Sequence, residues 1–186
     1  MRQSQLIAVA PRLAAVVLVL LAALQLRADV VASLFTEAPR IALAVARVAA
    51  SAVVLVCFAI LTLRLHRRWV TAALIGMTVG WLAQAVALEP LRYTLLDAAL
   101  AQGIATVSGV ALGVALARTI GEPRIRHSAM VLLFGYAVLG GLTALTEHRI
   151  ALSLDYPTIV VLRQDRDFTA AISDIALAGV LWLRRS

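Results

Sequence analysis

The chain has 186 residues, of which 62% are hydrophobic and only 15% are charged, and its mean hydropathy is +0.95. Soluble domains are about 45–50% apolar and about 25% charged, so this composition excludes an ordinary water-soluble domain. All 17 basic residues are arginine, and the absence of lysine excludes a Schiff-base lysine and a P-loop lysine. Cys57 is the only cysteine, which excludes an internal disulfide.

Six apolar stretches are long enough to be membrane-spanning helices, each of which needs about 20 residues. In chain order they cover residues 5–26, 41–63, 69–88, 94–117, 128–145 and 168–183. Together they leave only short loops and tails. The sequence therefore predicts a single transmembrane domain over residues 1–186, an all-α, integral membrane six-helix bundle.

The arginines are distributed unevenly between the two sides of this bundle. The side with both termini carries nine arginines and one acidic residue, whereas the other side carries six arginines and eight acidic residues. Cytoplasmic loops have an excess of basic residues, so we expect both termini in the cytoplasm and the chain in a cytoplasmic (inner) membrane. The arginines are dispersed between apolar runs, so the net charge of +7 indicates a lipid bilayer as the partner and no nucleic acid.

Glycines recur at intervals of four in the third and fourth stretches. They are Gly76 and Gly80 in the third, and Gly109 and Gly113 in the fourth. Lipid tails are as apolar as leucine, so spanning helices associate through close packing of small residues. We predict that these glycines lie at tight helix contacts, with the third and fourth helices at the centre of the bundle. The alternative is the general abundance of glycine and alanine in such helices.

Two charges lie inside the apolar stretches at similar depth. Arg47 and Asp174 are each six residues from the outer end of their stretch, about 9 Å along a helix. Intramembrane charges are costly unless they are paired, so we predict an Arg47–Asp174 pair. Gln84, Asp97 and Gln102 lie in the same outer half. The sequence thus predicts a polar site open to the outer side, and the alternative is a pair that only locks two helices together.

The longest predicted loop covers residues 146–167 and contains an apolar piece at 158–162. Asp155 followed by Pro157 is a plausible helix start. The apolar piece could be a short surface helix, a lid, or an early extension of the last span. The alternating charges over 163–167 favour a solvated surface segment.

Residue types needed for catalysis or cofactor binding are scarce. His66, His127 and His148 are placed in loops or at helix ends, which is unsuited to a haem held between helices, and the chain has too few cysteines and histidines for structural zinc. Ser108-Gly109 lacks the rest of a nucleophile elbow. We expect no enzymatic activity, no cofactor and no metal.

Two functional hypotheses remain. The first is a non-catalytic multi-pass membrane protein that lines or gates a path for a small solute or ion. The second is an accessory subunit whose helices pack against larger partners in a membrane protein complex. In either case a membrane-protein partner or a second copy of the chain is a candidate neighbour.

Overall fold

The computed structural model describes residues 3–34, 37–62, 67–87, 95–153 and 155–184, and within these ranges the chain is helical without strands. The six helices are α1 (Gln3–Leu34), α2 (Glu37–Thr62), α3 (Arg68–Ala87), α4 (Leu95–Ala117), α5 (Pro123–Leu152) and α6 (Tyr156–Leu183). Each predicted apolar stretch falls on one of them. The all-α class and the six helices are confirmed for the described part of the chain.

Successive helices run antiparallel. Gly80 of α3 faces Ala105 of α4, whereas Gly76 faces Ser108 further along α4. The same reversal relates α4 to α5 and α5 to α6. Each helix packs on the next one, and α6 packs back on α1, so the six helices close into a ring.

The apolar core fills one half of this ring. Fully buried side chains include Leu18 of α1, Phe58 of α2, Met77 of α3, Leu112 of α4 and Leu181 of α6, and they belong to one cluster. The cluster uses the first half of α3 and α5, the second half of α2, α4 and α6, and residues 10–21 of α1. Consequently α1 begins and α6 ends at the same end of the ring.

That end carries a concentration of arginines, and we call it the basic end. Its described arginines are Arg67, Arg68, Arg118, Arg124, Arg126 and Arg184, and Glu122 is its described acidic residue. The opposite end, where α5 is followed by α6, carries arginines and carboxylates together. The bundle is therefore electrostatically asymmetric along its axis.

Two described helices are long and apolar enough to cross a membrane, over Ala98–Ala117 and Pro123–Ile150. Shorter apolar helices cover Val9–Leu24, Val48–Thr62 and Arg68–Ala83. Length and composition of two helices give weak evidence for a membrane location, because core helices and signal sequences pass the same criterion.

The last two helices are longer than the sequence predicts, and the predicted loop over 146–167 is wrong. Only residues 153–155 separate α5 from α6. The carboxylate of Asp155 accepts hydrogen bonds from the Thr158 backbone N–H (3.1 Å) and hydroxyl (2.6 Å), and Pro157 lies in the first turn, so the helix begins there. Residues 158–167 therefore extend the last helix, which agrees with one of the three alternatives from the sequence, and six of these ten residues are exposed on its surface.

Candidate functional site

The predicted polar site is only partly described. Arg47 lies on α2, Gln84 on α3 and Asp97 on α4, but their side chains lie outside the part of the chain that the structure describes. The Arg47–Asp174 pair therefore stays a prediction. Gln102 on α4 and Asp174 on α6 are described, and both are half-buried.

Gln102 belongs to a polar contact within α4, on the side of Thr106, which packs against α5. Its side-chain amide donates to the Thr106 hydroxyl (3.4 Å), and that hydroxyl donates to the Gln102 carbonyl (2.8 Å). Thr106 is buried against Gly140 of α5, where a Cβ would collide with the threonine side chain. The absence of a side chain at Gly140 therefore lets Thr106 lie close to the backbone of α5.

A second polar contact joins α5 to α6. The hydroxyls of Thr143 and Thr169 are 3.0 Å apart. One turn further from the basic end, Arg166 contacts Glu147 (3.3 Å) and Asp167 (2.8 Å). The three charged side chains are 24%, 14% and 10% exposed, so the group is largely removed from water.

Arg166 stays charged in this environment. Burial lowers the pKa of Arg166, but the charges of Asp167 and Glu147 and the hydrogen bonds to them outweigh burial and raise that pKa above its usual value. Arg166 lies just beyond the predicted span 168–183. The ion pairs therefore fix the register of α5 and α6 at the end opposite the basic end.

The deepest polar contacts lie around Tyr136 of α5. This residue is buried, and its ring covers Gly109 of α4. The Ser173 hydroxyl donates to the Tyr136 backbone carbonyl (3.5 Å). Asp174 follows Ser173 and is close enough to Tyr136 for an electrostatic interaction. Polar groups thus extend over about 12 Å along α6, the rise of the eight residues from Arg166 to Asp174.

We call this set of side chains the polar seam. It consists of Gln102, Thr106, Tyr136, Thr143, Glu147, Arg166, Asp167, Thr169, Ser173 and Asp174. Sequence reasoning identified only Gln102 and Asp174 among them. The other residues could have been found from their spacing. Arg166, Thr169 and Ser173 are three and four residues apart, which places them on one face of α6.

The four predicted packing glycines lie against neighbouring helices. Gly76 and Gly80 face α4, where Gly76 meets Ser108 and Gly80 meets the Ala101 carbonyl. Gly109 and Gly113 face α5, at Tyr136 and Leu133. The two pairs do not pack against each other, so α4 contacts α3 and α5 through different faces.

The chemistry of the polar seam follows from its residue types. Hydroxyl and amide groups can donate and accept hydrogen bonds in series, and the carboxylates can hold a cation or a proton. Among the described residues, no group of three histidine, cysteine, aspartate or glutamate side chains could hold a metal ion. No protein-family model matches the chain, and neither a curated protein nor a solved structure matches it.

Proposed function

We propose that the protein is an integral membrane protein of a bacterial-type cytoplasmic membrane, with six spans. The exposure of α5 supports this proposal. Its apolar segment Pro123–Ile150 is long enough to cross a membrane, yet only 28% of it is buried inside the bundle. A core helix of a soluble protein is mostly buried, and a signal sequence lies near the N-terminus, so neither explanation fits α5. Phe134 is 72% exposed and Leu145 is 61% exposed, which lipid accommodates better than water.

The basic end supports an orientation with both termini in the cytoplasm, because cytoplasmic flanks carry the excess of arginine. Thr119 lies exposed in the α4–α5 turn at the basic end, and Ser153 follows α5 at the other end. In a Cys57→Ser background, we expect Thr119→Cys to react with a membrane-impermeant thiol reagent only from the cytoplasmic side and Ser153→Cys only from outside. Labelling of both from one side would contradict the topology.

Within this topology, the protein lines or gates a path for a small solute or ion and has no catalytic activity. The observation that carries this function is the polar seam between α4, α5 and α6, in which Thr106, Thr143, Asp167 and Ser173 are buried. Polar side chains that face the interior of a membrane bundle typically mark ion or substrate pathways. The polar seam enters from the outer end, and the apolar core occupies the cytoplasmic half. Asp174, at the inner end of the seam, is the residue that would carry a proton or balance Arg47.

Liposomes with the purified protein test this function. Proton flux is measured with an enclosed pH dye, Na⁺ and Cl⁻ flux with ion-sensitive dyes, and glycerol or urea entry by light scattering. We expect one of these fluxes to exceed that of empty liposomes and to fall about tenfold in Asp174→Asn, since tenfold corresponds to about 1.4 kcal/mol of lost interaction. Wild-type fluxes equal to those of empty liposomes would contradict the proposal.

A matched pair of threonines on α5 provides the control for that experiment. Both hydroxyls donate to a carbonyl of their own helix (2.9 Å each), but Thr143 is buried and also contacts the Thr169 hydroxyl of α6 (3.0 Å). Thr143→Val should change the flux, and Thr146→Val should leave it unchanged. Equal effects of the two substitutions would show that the flux does not follow the polar seam.

The second candidate function is an accessory subunit of a membrane complex, and α2 supplies the observation in its favour. Ala46, Ala49 and Ala52 are exposed on this helix, together with Val53 and Val56. Small residues allow close helix approach, so this face suits a neighbouring protein. Purification in a mild detergent followed by mass analysis separates the two functions, since a stoichiometric protein partner would favour the accessory subunit.

A further inference from the structure

An open pocket of about 410 Å³ lies at the basic end, where the α4–α5 turn meets the first turns of α5. Its wall is formed by Arg118, Pro123, Arg126, His127 and Met130. It lies at the opposite end from the ion pairs of Arg166, so it is separate from the polar seam.

The pocket carries positive charge, and its arginines have no acidic partner within the described ranges. Arg118, Arg126 and His127 are exposed, and none of them makes an ion pair or a side-chain hydrogen bond within the described ranges. Glu122 in the same turn is exposed and also forms no ion pair there. Guanidinium groups present paired donors that match phosphate oxygens, and two of them on one pocket favour a phosphate ligand.

An apolar surface continues from the pocket along α5. Met130 lines the pocket and is 43% exposed, and Phe134, Val138 and Leu145 follow at intervals that keep them on the same helix face as His127. Gly141 lies on this face as well, and a Cβ there would have nothing within 4 Å. A ligand that fits both surfaces has an anionic phosphate at one end and hydrocarbon at the other.

We propose that this pocket binds the phosphate headgroup of an anionic glycerophospholipid, whose acyl chains lie along the Met130–Leu145 face of α5. The inference rests on the proposed membrane location, which puts the basic end at the cytoplasmic leaflet, where anionic lipids attract basic residues. Arg118 and Arg126 hold the phosphate oxygens, and His127 adds a third donor. The apolar face distinguishes this ligand from free phosphate, which gains nothing from hydrocarbon contact.

The experiment compares lipid binding by purified protein in mild detergent, using native mass spectrometry to count retained lipid. The probes are phosphatidylglycerol and phosphatidylcholine with identical acyl chains. We expect wild-type protein to retain phosphatidylglycerol preferentially and the Arg118→Gln/Arg126→Gln variant to bind it about tenfold more weakly, because charge-assisted hydrogen bonds are lost. The control variant is Arg67→Gln/Arg124→Gln, which removes two exposed arginines of the basic end that do not line the pocket.

Each outcome decides the proposal. The proposal is supported if the control variant still prefers phosphatidylglycerol and the pocket variant does not. Equal loss in both variants, or no preference in the wild type, overturns it, since either result would mean that the pocket itself is not the site. The proposal would also be overturned if millimolar inorganic phosphate displaced bound phosphatidylglycerol as effectively as added phosphatidylglycerol does. The pocket would then be a site for a free anion.

Extraction of membranes with alkaline carbonate tests the proposed membrane location independently of the lipid site. Integral membrane proteins stay in the pellet, so release of the chain into the supernatant would contradict the membrane location. Protein that resists extraction but shows no headgroup preference contradicts the lipid site alone. Thermal unfolding of the pocket and control variants checks that these surface substitutions leave the fold intact.

Discussion

Gly80→Ala adds one methyl group where α3 lies against the backbone of α4. A Cβ at this position would be 2.7 Å from the Ala101 carbonyl oxygen and 2.9 Å from the Ala105 backbone nitrogen. Ordinary contacts begin at 3.4 Å, so α3 and α4 must separate by about 0.7 Å, because backbone atoms cannot rotate away. Overpacking of this kind costs about 1–3 kcal/mol, and the better helix propensity of alanine offsets about 1 kcal/mol. We therefore expect the free energy of unfolding to fall by up to about 2 kcal/mol relative to the parent, and by about 1–3 kcal/mol relative to a variant that gains only the helix propensity of alanine.

Gly141→Ala is the matched control, because a Cβ at Gly141 has nothing within 4 Å. We expect this variant to be as stable as the parent or slightly more stable. Thermal unfolding in detergent, followed by the fluorescence of the three tryptophans, measures both variants. A loss of about 1 kcal/mol lowers the melting temperature by about 2–4 °C for a chain of this size. If Gly80→Ala melted together with Gly141→Ala, the close approach of α3 and α4 would be refuted.

Two further predictions concern charges and use the same unfolding measurement. Arg166→Gln should destabilise the protein by about 3 kcal/mol, because it removes the cation that Glu147 and Asp167 both contact, and adding Glu147→Gln should recover part of that loss. Simple additivity of the two single losses would contradict the ion pair. Loss of Arg47 alone or Asp174 alone should destabilise the protein more than loss of both, since an unpaired charge in the bilayer is the costly state. Single variants as stable as the parent would rule that pair out.

The number and order of the helices could be predicted from the sequence, because each apolar stretch is long enough for one span and charged residues separate it from the next stretch. The end of α5 and the beginning of α6 could not be predicted in this way. Hydropathy measures transfer into lipid, whereas a helix continues into water wherever its polar groups are satisfied. Here the Asp155 cap and the Arg166–Glu147 ion pair stabilise helical turns that hydropathy assigns to a loop.

The candidate site was less accessible to sequence reasoning, because spacing shows which residues share a face but not which helix that face meets. Gly109 and Gly113 illustrate the limit. Their spacing predicts a packing surface, but only the structure assigns α5 as the helix that covers it. The Thr106–Gly140 and Thr143–Thr169 contacts likewise depend on two helices at once, and neither helix carries the signal alone.

The helical extension over residues 158–167 has a consequence for proteolysis. Trypsin cuts after arginine, and Arg149, Arg163 and Arg166 would be easy targets in an external loop. Within a capped helix that packs on its neighbour, the backbone at these positions must unfold locally before a protease can bind it. The cleavage rate is then reduced to the fraction of molecules that are locally open. In the proposed topology the hairpin lies outside the cell, and digestion of intact cells or spheroplasts should then leave it uncut under conditions that cleave a flexible loop of the same sequence.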